Sequence, residues 1–260
     1  MSRRRRILTG IGIAVVVSGA YLYLFGLQTA FALMERYECR KISVAWETPV
    51  PLADLSISAT PHRETSFCGY RFELPWGDVD EQKSRTVGEG VQVTAFRSKN
   101  VFSFSCFPPR NFVGEVMKQM NLNADQLKRG FGEAADSDYG FNRIMLDVRP
   151  DSITLRTPER EAWRDSMLLM FKVRAIPPTD SGIFLVQTPE FKGFQFGAPP
   201  RRQFRITDYL YTDSGGINLV FFQDRQGTAP AISQAEINRV VQSVRKIAEV
   251  EPGVREKSGP

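Results

Sequence analysis

The sequence predicts an α+β domain, an antiparallel sheet flanked by helices as an α/β/α sandwich, preceded by one transmembrane helix. Three observations carry that expectation. A run without any charged side chain occupies Ile7 to Met34. Beyond it, short segments rich in β-branched and aromatic residues alternate with a period of two, and stretches with a period near 3.6 are interleaved with them. Strand groups followed by helix groups are the signature of α+β architecture. At 260 residues the chain suffices for one anchored domain with a sizeable core. The reading divides it into a basic tail at 1–6, a membrane helix at 7–34, a stalk at 35–65, an exported domain at 66–250 and a disordered polar tail at 251–260.

Ile7 to Leu27 is almost wholly apolar, and a helix of about 20 such residues spans the hydrocarbon core. Arg3 to Arg6 precede it, whereas Glu35, Arg36 and Glu38 follow with mixed sign. The positive-inside rule therefore places the N-terminus in the cytoplasm and the C-terminal domain outside the cell membrane, in the periplasm of a Gram-negative cell. Tyr21, Tyr23 and Tyr37 sit toward the outer end, where amphipathic rings prefer the interface. A cleaved signal peptide competes, because Ala30-Phe31-Ala32 has the small-x-small form of a cleavage site. The length of the apolar run favours an uncleaved signal-anchor, and both readings export the domain. Gly10, Ala14 and Ser18, spaced by four, share a helix face that would let a second helix approach.

Formal charge is +5, but four of the 34 basic residues are Arg3 to Arg6, leaving 30 against 29 acidic. The remainder is near neutral, and Arg201, Arg202 and Arg205 form too small a cluster for a nucleic-acid face. Three cysteines without a C-x-x-C pair suggest neither a disulfide framework nor zinc, and a single histidine excludes a multi-histidine metal site within the chain. In an oxidising compartment Cys68 and Cys106 are the expected pair, since both lie in strand-like segments of one sheet, with Cys39 free or buried. Three reduced core thiols are the alternative.

In chain order, Lys41 to Trp46 alternates as a short strand until Pro49 and Pro51 break it. Phe67 to Leu74, Gly90 to Phe96 and Val101 to Phe107 read as strands, with a solvated loop over Asp78 to Arg85. After Pro108-Pro109, Phe112, Val113, Val116, Met117 and Met120 form a helical stripe with Asn111 as N-cap. Ala124 to Phe131 is a second helix. Tyr139 to Val148 fits helix or strand, and Ile153 to Leu155 a short strand. Thr157-Pro158-Glu159 opens a helix whose Trp163, Met167, Met170, Phe171 and Arg174 lie near one side. Ile183 to Gln187, Gly193 to Phe196, Phe204 to Tyr211 and Ile217 to Phe222 are β-formers, with a hairpin turn at Thr212 to Gly216. Ser233-Gln234-Ala235-Glu236 is a capping box leading into the stripe Ile237, Val240, Val241, Val244 and Ile247.

A strand such as Phe67 to Leu74 opening the domain, and the pattern Ile237-Asn238-Arg239-Val240-Val241-Gln242-Ser243 closing it, resemble the PsbP type of fold over roughly Ser66 to Ala248. That resemblance implies a binding and assembly scaffold, with no shared catalytic residues to carry over.

The segments that invite chemistry each have a plainer reading. Asp213-Ser214-Gly215-Gly216 resembles the nucleophile segment of trypsin-like proteases, with His62 upstream. Thr212 replaces the oxyanion-hole glycine, His62 lacks the expected surroundings, and the helices between Asn111 and Val173 do not suit a double β-barrel. A Ser-Gly-Gly turn explains the same residues. Asp136-Ser137-Asp138-Tyr139-Gly140 resembles the start of a calcium loop, yet its glycine comes one place early and no closing glutamate follows; a turn or helix cap fits. Asp78, Asp80 and Glu81 read as an acidic loop. Phe191, Phe194, Phe196, Phe204, Tyr209, Tyr211, Phe221 and Phe222 crowd the C-terminal strands on both faces, so a second helix layer must cover one face unless an aromatic groove rimmed by Gly197 to Arg202 stays open. No catalytic residue, cofactor or metal ligand is assigned. The expectation is a single-pass, extracytoplasmic binding or accessory protein supporting a membrane or envelope complex. A tethered serine hydrolase using Ser214 and His62, and a lipid or small-ligand carrier, are the alternatives.

Overall fold

The computed structural model describes residues 3–59, 63–176, 182–199, 204–213, 215–224 and 231–247, with the side chains of 3–12 and 20–25 outside the described set. Helix α1 (Arg3–Cys39) is broken at Gly26, whose φ of 74° and ψ of 166° interrupt the helix. A side chain there would meet the Glu159 carboxylate as well as that strained backbone, so glycine suits the position twice over. Among the described residues no helix is long and apolar enough to cross a membrane. Much of the apolar run expected to do so lies in the side chains outside that set.

The large sheet has eight strands among the described residues: β1 (Val50–Pro51), β4 (Arg85–Val87), β5 (Val91–Ala95), β6 (Val101–Phe107), β7 (Ile183–Gln187), β8 (Lys192–Phe196), β9 (Arg205–Thr212) and β10 (Gly215–Phe222). Their spatial order is β1-β7-β8-β9-β10-β6-β5-β4. The sequence predicts an antiparallel sheet, and this one is mixed: β1 runs parallel to β7, while the other pairs are antiparallel. The parallel partner is a two-residue edge strand that follows α1 and lies far from β7 in the chain, and its Pro51, lacking an N–H, is tolerated at an edge. A second sheet, β11-β3-β2, joins β2 (Glu64–Phe67), β3 (Tyr70–Glu73) and β11 (Arg245–Lys246).

Period two in the central strands divides the core. On one face Ile183, Phe194 and Phe196 pack with Val113, Phe141, Met145, Leu169 and Phe171, from α2 (Asn111–Met120), α4 (Asp138–Asp147) and α5 (Glu159–Ala175). On the other, Phe102, Phe104, Ile206, Leu210, Leu219 and Phe221 pack with Phe72 of the small sheet and with Ile237, Val240 and Val241 of α6 (Gln234–Ser243). The helix α3 (Ala124–Phe131) adds Leu127 and Phe131 to the first cluster. The molecule is therefore α+β, with a large mixed sheet flanked by helices.

Several elements differ from expectation for identifiable reasons. Phe67 to Leu74 is not one strand but the turn and second arm of a hairpin with Glu64–Phe67, because Cys68 and Gly69 adopt φ of 52° and 74°, the two positive values that a tight two-residue turn requires. Lys41 to Trp46 forms a 3-10 turn at Ser43–Trp46 rather than a strand, burying Val44 and Ala45. Of the two forms open to Tyr139 to Val148 the helix is the one found, as α4, whereas Ile153 to Leu155 is no strand. Arg110, with left-handed φ, takes the N-cap place expected of Asn111. On α5 the buried face holds Ala162, Asp165, Ser166, Leu169 and Lys172, so two charged residues point inward while Arg174 stays exposed.

The stretch read as a stalk is stitched to the body. Cys39, Val44 and Ala45 are buried in the helical core, and Cys39 is a free thiol. Further on, the Asn238 amide donates to the Asp54 and Ser56 carbonyls at 2.9 and 2.8 Å, and Arg239 reaches the Ser58 carbonyl at 2.7 Å while forking onto Glu73. A reciprocal amide pair between Gln195 and Gln234, at 2.9 and 2.8 Å, extends this buried network into the sheet. Periodicity does not reveal such ties, because they join residues from 39 to 184 positions apart.

Cys68 and Cys106 form a disulfide closing a separation of 38 residues. It staples the small-sheet hairpin to β6 of the large sheet, rather than lying within one sheet. Constraint of the unfolded chain over that loop predicts that Cys68→Ser with Cys106→Ser loses about 2–4 kcal/mol. Urea denaturation of the oxidised protein against the double variant checks this.

Candidate functional site

A cleft of about 770 Å³ opens where three loops meet the end of the sheet. Pro109 and Arg110 enter it ahead of α2, Asp136 to Tyr139 lead into α4, and Thr188 to Phe191 connect β7 to β8. Thr212, Asp213 and Gly215 of the β9–β10 hairpin complete the rim. Adjacent strands bring Lys192 opposite Tyr211 in the ladder, which explains why both reach the same opening.

Most charged groups in the cleft already have structural partners. Asp138 is buried, and its Oδ1 accepts the Val113 N–H at 2.9 Å, satisfying an otherwise unpaired donor in the first turn of α2. Asp136 pairs with Lys128 at 2.9 Å and Glu190 with Arg245 at 3.3 Å. Arg110 donates to the Ala135 carbonyl at 3.3 Å. Tyr139 stacks on Phe194 with centroids 5.3 Å apart. Burial, reinforced by Tyr209 and Asp138, pushes the Tyr211 phenol far above its ordinary value. It is a neutral hydroxyl at any physiological pH. A smaller pocket of about 140 Å³ shares Tyr211 with the cleft and is lined by Phe107, Phe112, Met145, Ile176, Phe196 and Tyr209, with Asn111 and Asn142 as polar groups.

Two segments singled out in the sequence thus meet here: Asp136 to Gly140 and the Asp213 to Gly216 turn. In the first, Ser137 caps α4 by accepting the Gly140 N–H at 3.0 Å, the helix-cap role that its plainer reading gave it. In the second, Thr212 pairs with Gly215 across the hairpin, and its hydroxyl donates to the Gly215 carbonyl at 3.1 Å. His62 and Ser214 lie outside the described residues, as do Arg201 and Arg202.

The acidic loop is spent on local bonds. Asp78 accepts the Ser98 N–H at 2.7 Å, and Glu81 pairs with Arg63. The Lys83 ammonium, 3.0 Å away, holds the Asp80 carboxyl below its usual range. Among the described residues no group of three or more histidines, cysteines or carboxylates could hold a metal ion. The aromatic side chains of the strands are mostly covered on both faces, with Phe204 left 41 % exposed at a strand start.

The two most deeply buried ionisable groups, Lys172 and Asp208, escaped the sequence reading. The Lys172 ammonium donates to the carbonyls of Val148 at 2.8 Å, Leu146 at 2.9 Å and Ala45 at 3.4 Å. Asp208, central in β9, is fully buried beside Ile206 and Leu210, and neither carboxylate oxygen has a hydrogen-bond partner. Burial pushes its carboxyl well above the ordinary value. Their only sequence signal is a charge at a position whose periodicity points inward.

No protein-family model matches the chain, and neither a curated protein nor a solved structure matches it.

Proposed function

We propose that this protein is a single-pass membrane protein, anchored through residues 7–34 with its N-terminus in the cytoplasm, whose extracytoplasmic domain works by binding as an accessory or assembly factor of a membrane or envelope complex. One observation carries the binding reading: the cleft combines a broad polar rim and aromatic floor with carboxylates at Asp136, Asp138 and Glu190 that are already spent on structural partners. Such a site presents surface rather than a poised acid and base. The charge-free run after Arg3 to Arg6 supports the anchor, and the Cys68–Cys106 disulfide suits an oxidising compartment. Coverage of the sheet by helices on both faces suits the PsbP-type scaffold proposed from element order.

Protease digestion of intact and permeabilised cells carrying a C-terminal tag tests the topology. Destruction of the tag in intact cells, or in cells with only the outer membrane opened, is the expected result; protection until the inner membrane is breached rejects export. In-cell crosslinking of the full chain is then expected to yield a reproducible stoichiometric membrane or envelope partner.

Two features keep alternative readings specific. Asp213 and Gly215, which flank Ser214, line the cleft, so a hydrolase would show itself as function lost in Ser214→Ala with the fold intact. The 140 Å³ aromatic pocket suits a small apolar ligand, which native mass spectrometry of the protein would reveal as added mass.

A further inference from the structure

The part of α1 beyond Gly26 bears apolar side chains on two opposite faces. Thr29, Ala32 and Cys39 are buried against the body. About half a turn away, Leu27, Phe31 and Met34 recur at i, i+4 and i+7, and they are 74 %, 37 % and 56 % exposed. The same face ends in charge: Glu38 pairs with Lys41 at 2.9 Å, and the Lys41 ammonium also lies 4.3 Å from the ring centre of Tyr37 on its flank. Along roughly 16 Å of helix the surface therefore grades from leucine through phenylalanine and methionine to an amphipathic tyrosine and then an ion pair.

A face covered by another protein has no need of such a gradient along the chain. A face leaving a bilayer does, because polarity rises across the interfacial layer and tyrosine is favoured where ring and hydroxyl meet different media. The stripe begins one residue after the kink and lies within the charge-free run, so whatever surrounds residues 7–25 is continuous with Leu27. No flexible tether separates the two, since the helix beyond the kink is already packed into the body through Ala32 and Cys39.

We propose that Leu27, Phe31 and Met34 lie in the outer interfacial layer of the bilayer, with phospholipid as the occupant of this face and with Glu38 and Lys41 marking its water edge. The domain then sits on the membrane surface instead of swinging from a stalk. This rests on the membrane reading of residues 7–34.

The test uses the full chain in vesicles of phosphatidylethanolamine and phosphatidylglycerol, with an environment-sensitive fluorophore on single introduced cysteines. Cys39 is buried and the other two cysteines are bonded to each other, so labelling is confined to the new thiol. Val16→Cys reports on the apolar run, Leu27→Cys, Phe31→Cys and Met34→Cys on the stripe, and Lys41→Cys on its end. The expected result is blue-shifted emission quenched by lipid-borne nitroxide at Val16 and the stripe positions, falling toward Met34, with Lys41 quenched by aqueous iodide instead. Lipid quenching at Val16 with iodide quenching along the stripe would overturn the proposal and leave the anchor standing. Stripe labels shielded from both quenchers would assign the face to a second copy or a protein partner, which also overturns it. Failure of lipid quenching at Val16 removes the anchor and the proposal together.

Discussion

Lys172→Met is expected to lower stability at neutral pH by about 3 kcal/mol or more, because it leaves three buried carbonyl oxygens without their donor. Two of these, on Leu146 and Val148, belong to the end of α4, where helix carbonyls lack intrahelical partners. The third, on Ala45, ties the turn after α1 to α5. One ammonium therefore joins three segments, and methionine, which keeps an unbranched stem of four heavy atoms and lacks only the terminal ammonium, keeps any cavity small beside the lost bonds. Urea denaturation of the full chain in detergent gives the magnitude. Hydrogen exchange should also accelerate around Ala45 and at the end of α4; unchanged exchange there would show that the carbonyls find other donors.

The pH dependence follows from the same burial. Desolvation lowers the Lys172 value from 10.5 to about 8, with Asp147 and Glu47 opposing the shift and Arg149 adding to it. Between these values the unfolded chain holds a proton that the folded chain has released. Stability from this group therefore rises with pH across that window, by at most about 3 kcal/mol, and is flat below pH 8. The rise should vanish in Lys172→Met.

Asp208→Val is expected to stabilise the protein at pH 7 by about 2 kcal/mol or more, the reverse of the usual outcome at a buried site. The carboxyl is enclosed on the α6 side of the sheet among Ile206, Leu210 and Leu219, without a hydrogen bond, and valine suits both the strand and the surroundings. Its folded-state value is raised above the unfolded 3.8. From about pH 4 upward the unfolded chain thus releases a proton that the folded chain keeps. This contribution is fully present below pH 4 and is lost as pH rises, with a slope approaching 1.4 kcal/mol per pH unit up to the folded-state value. Asp208→Asn removes the titration at constant size, so its denaturation midpoint should lose that slope. A wild-type slope of the opposite sign between pH 5 and 7, surviving in Asp208→Asn, would refute the assignment to this group.

The elements that could be read from the sequence are those whose signal is local. The last helix begins at the capping box Ser233 to Glu236, as its residues demand, and β6 covers Val101–Phe107 because alternation there runs uninterrupted. The last helix stops at Ser243 because Arg245 and Lys246 pair with β3, a competition set by a strand about 170 residues earlier. The turn inside Phe67 to Leu74 went unread for a related reason. Cys68-Gly69 is a turn only when the two flanking segments pair, and alternation continues across it.

The cleft was legible in its pieces and not in its assembly. Asp136 to Gly140 and Asp213 to Gly216 attract notice through composition, yet neither says that the other lies beside it. Lys172 and Asp208 were hidden because a charge at an inward-facing position conflicts with the pattern that would reveal it.

By itself the sequence determined the α+β class, the charge-free N-terminal run, the preference for pairing Cys68 with Cys106 and the start of the closing helix. Each depends on composition or on residues within a few turns of one another. Only the tertiary structure decided the parallel edge strand, the packing of residues 39–58 into the body, the cleft and the burial of Lys172 and Asp208. Those depend on which distant segments meet, and the desolvation that sets the Lys172 and Asp208 protonation states exists only once they have met.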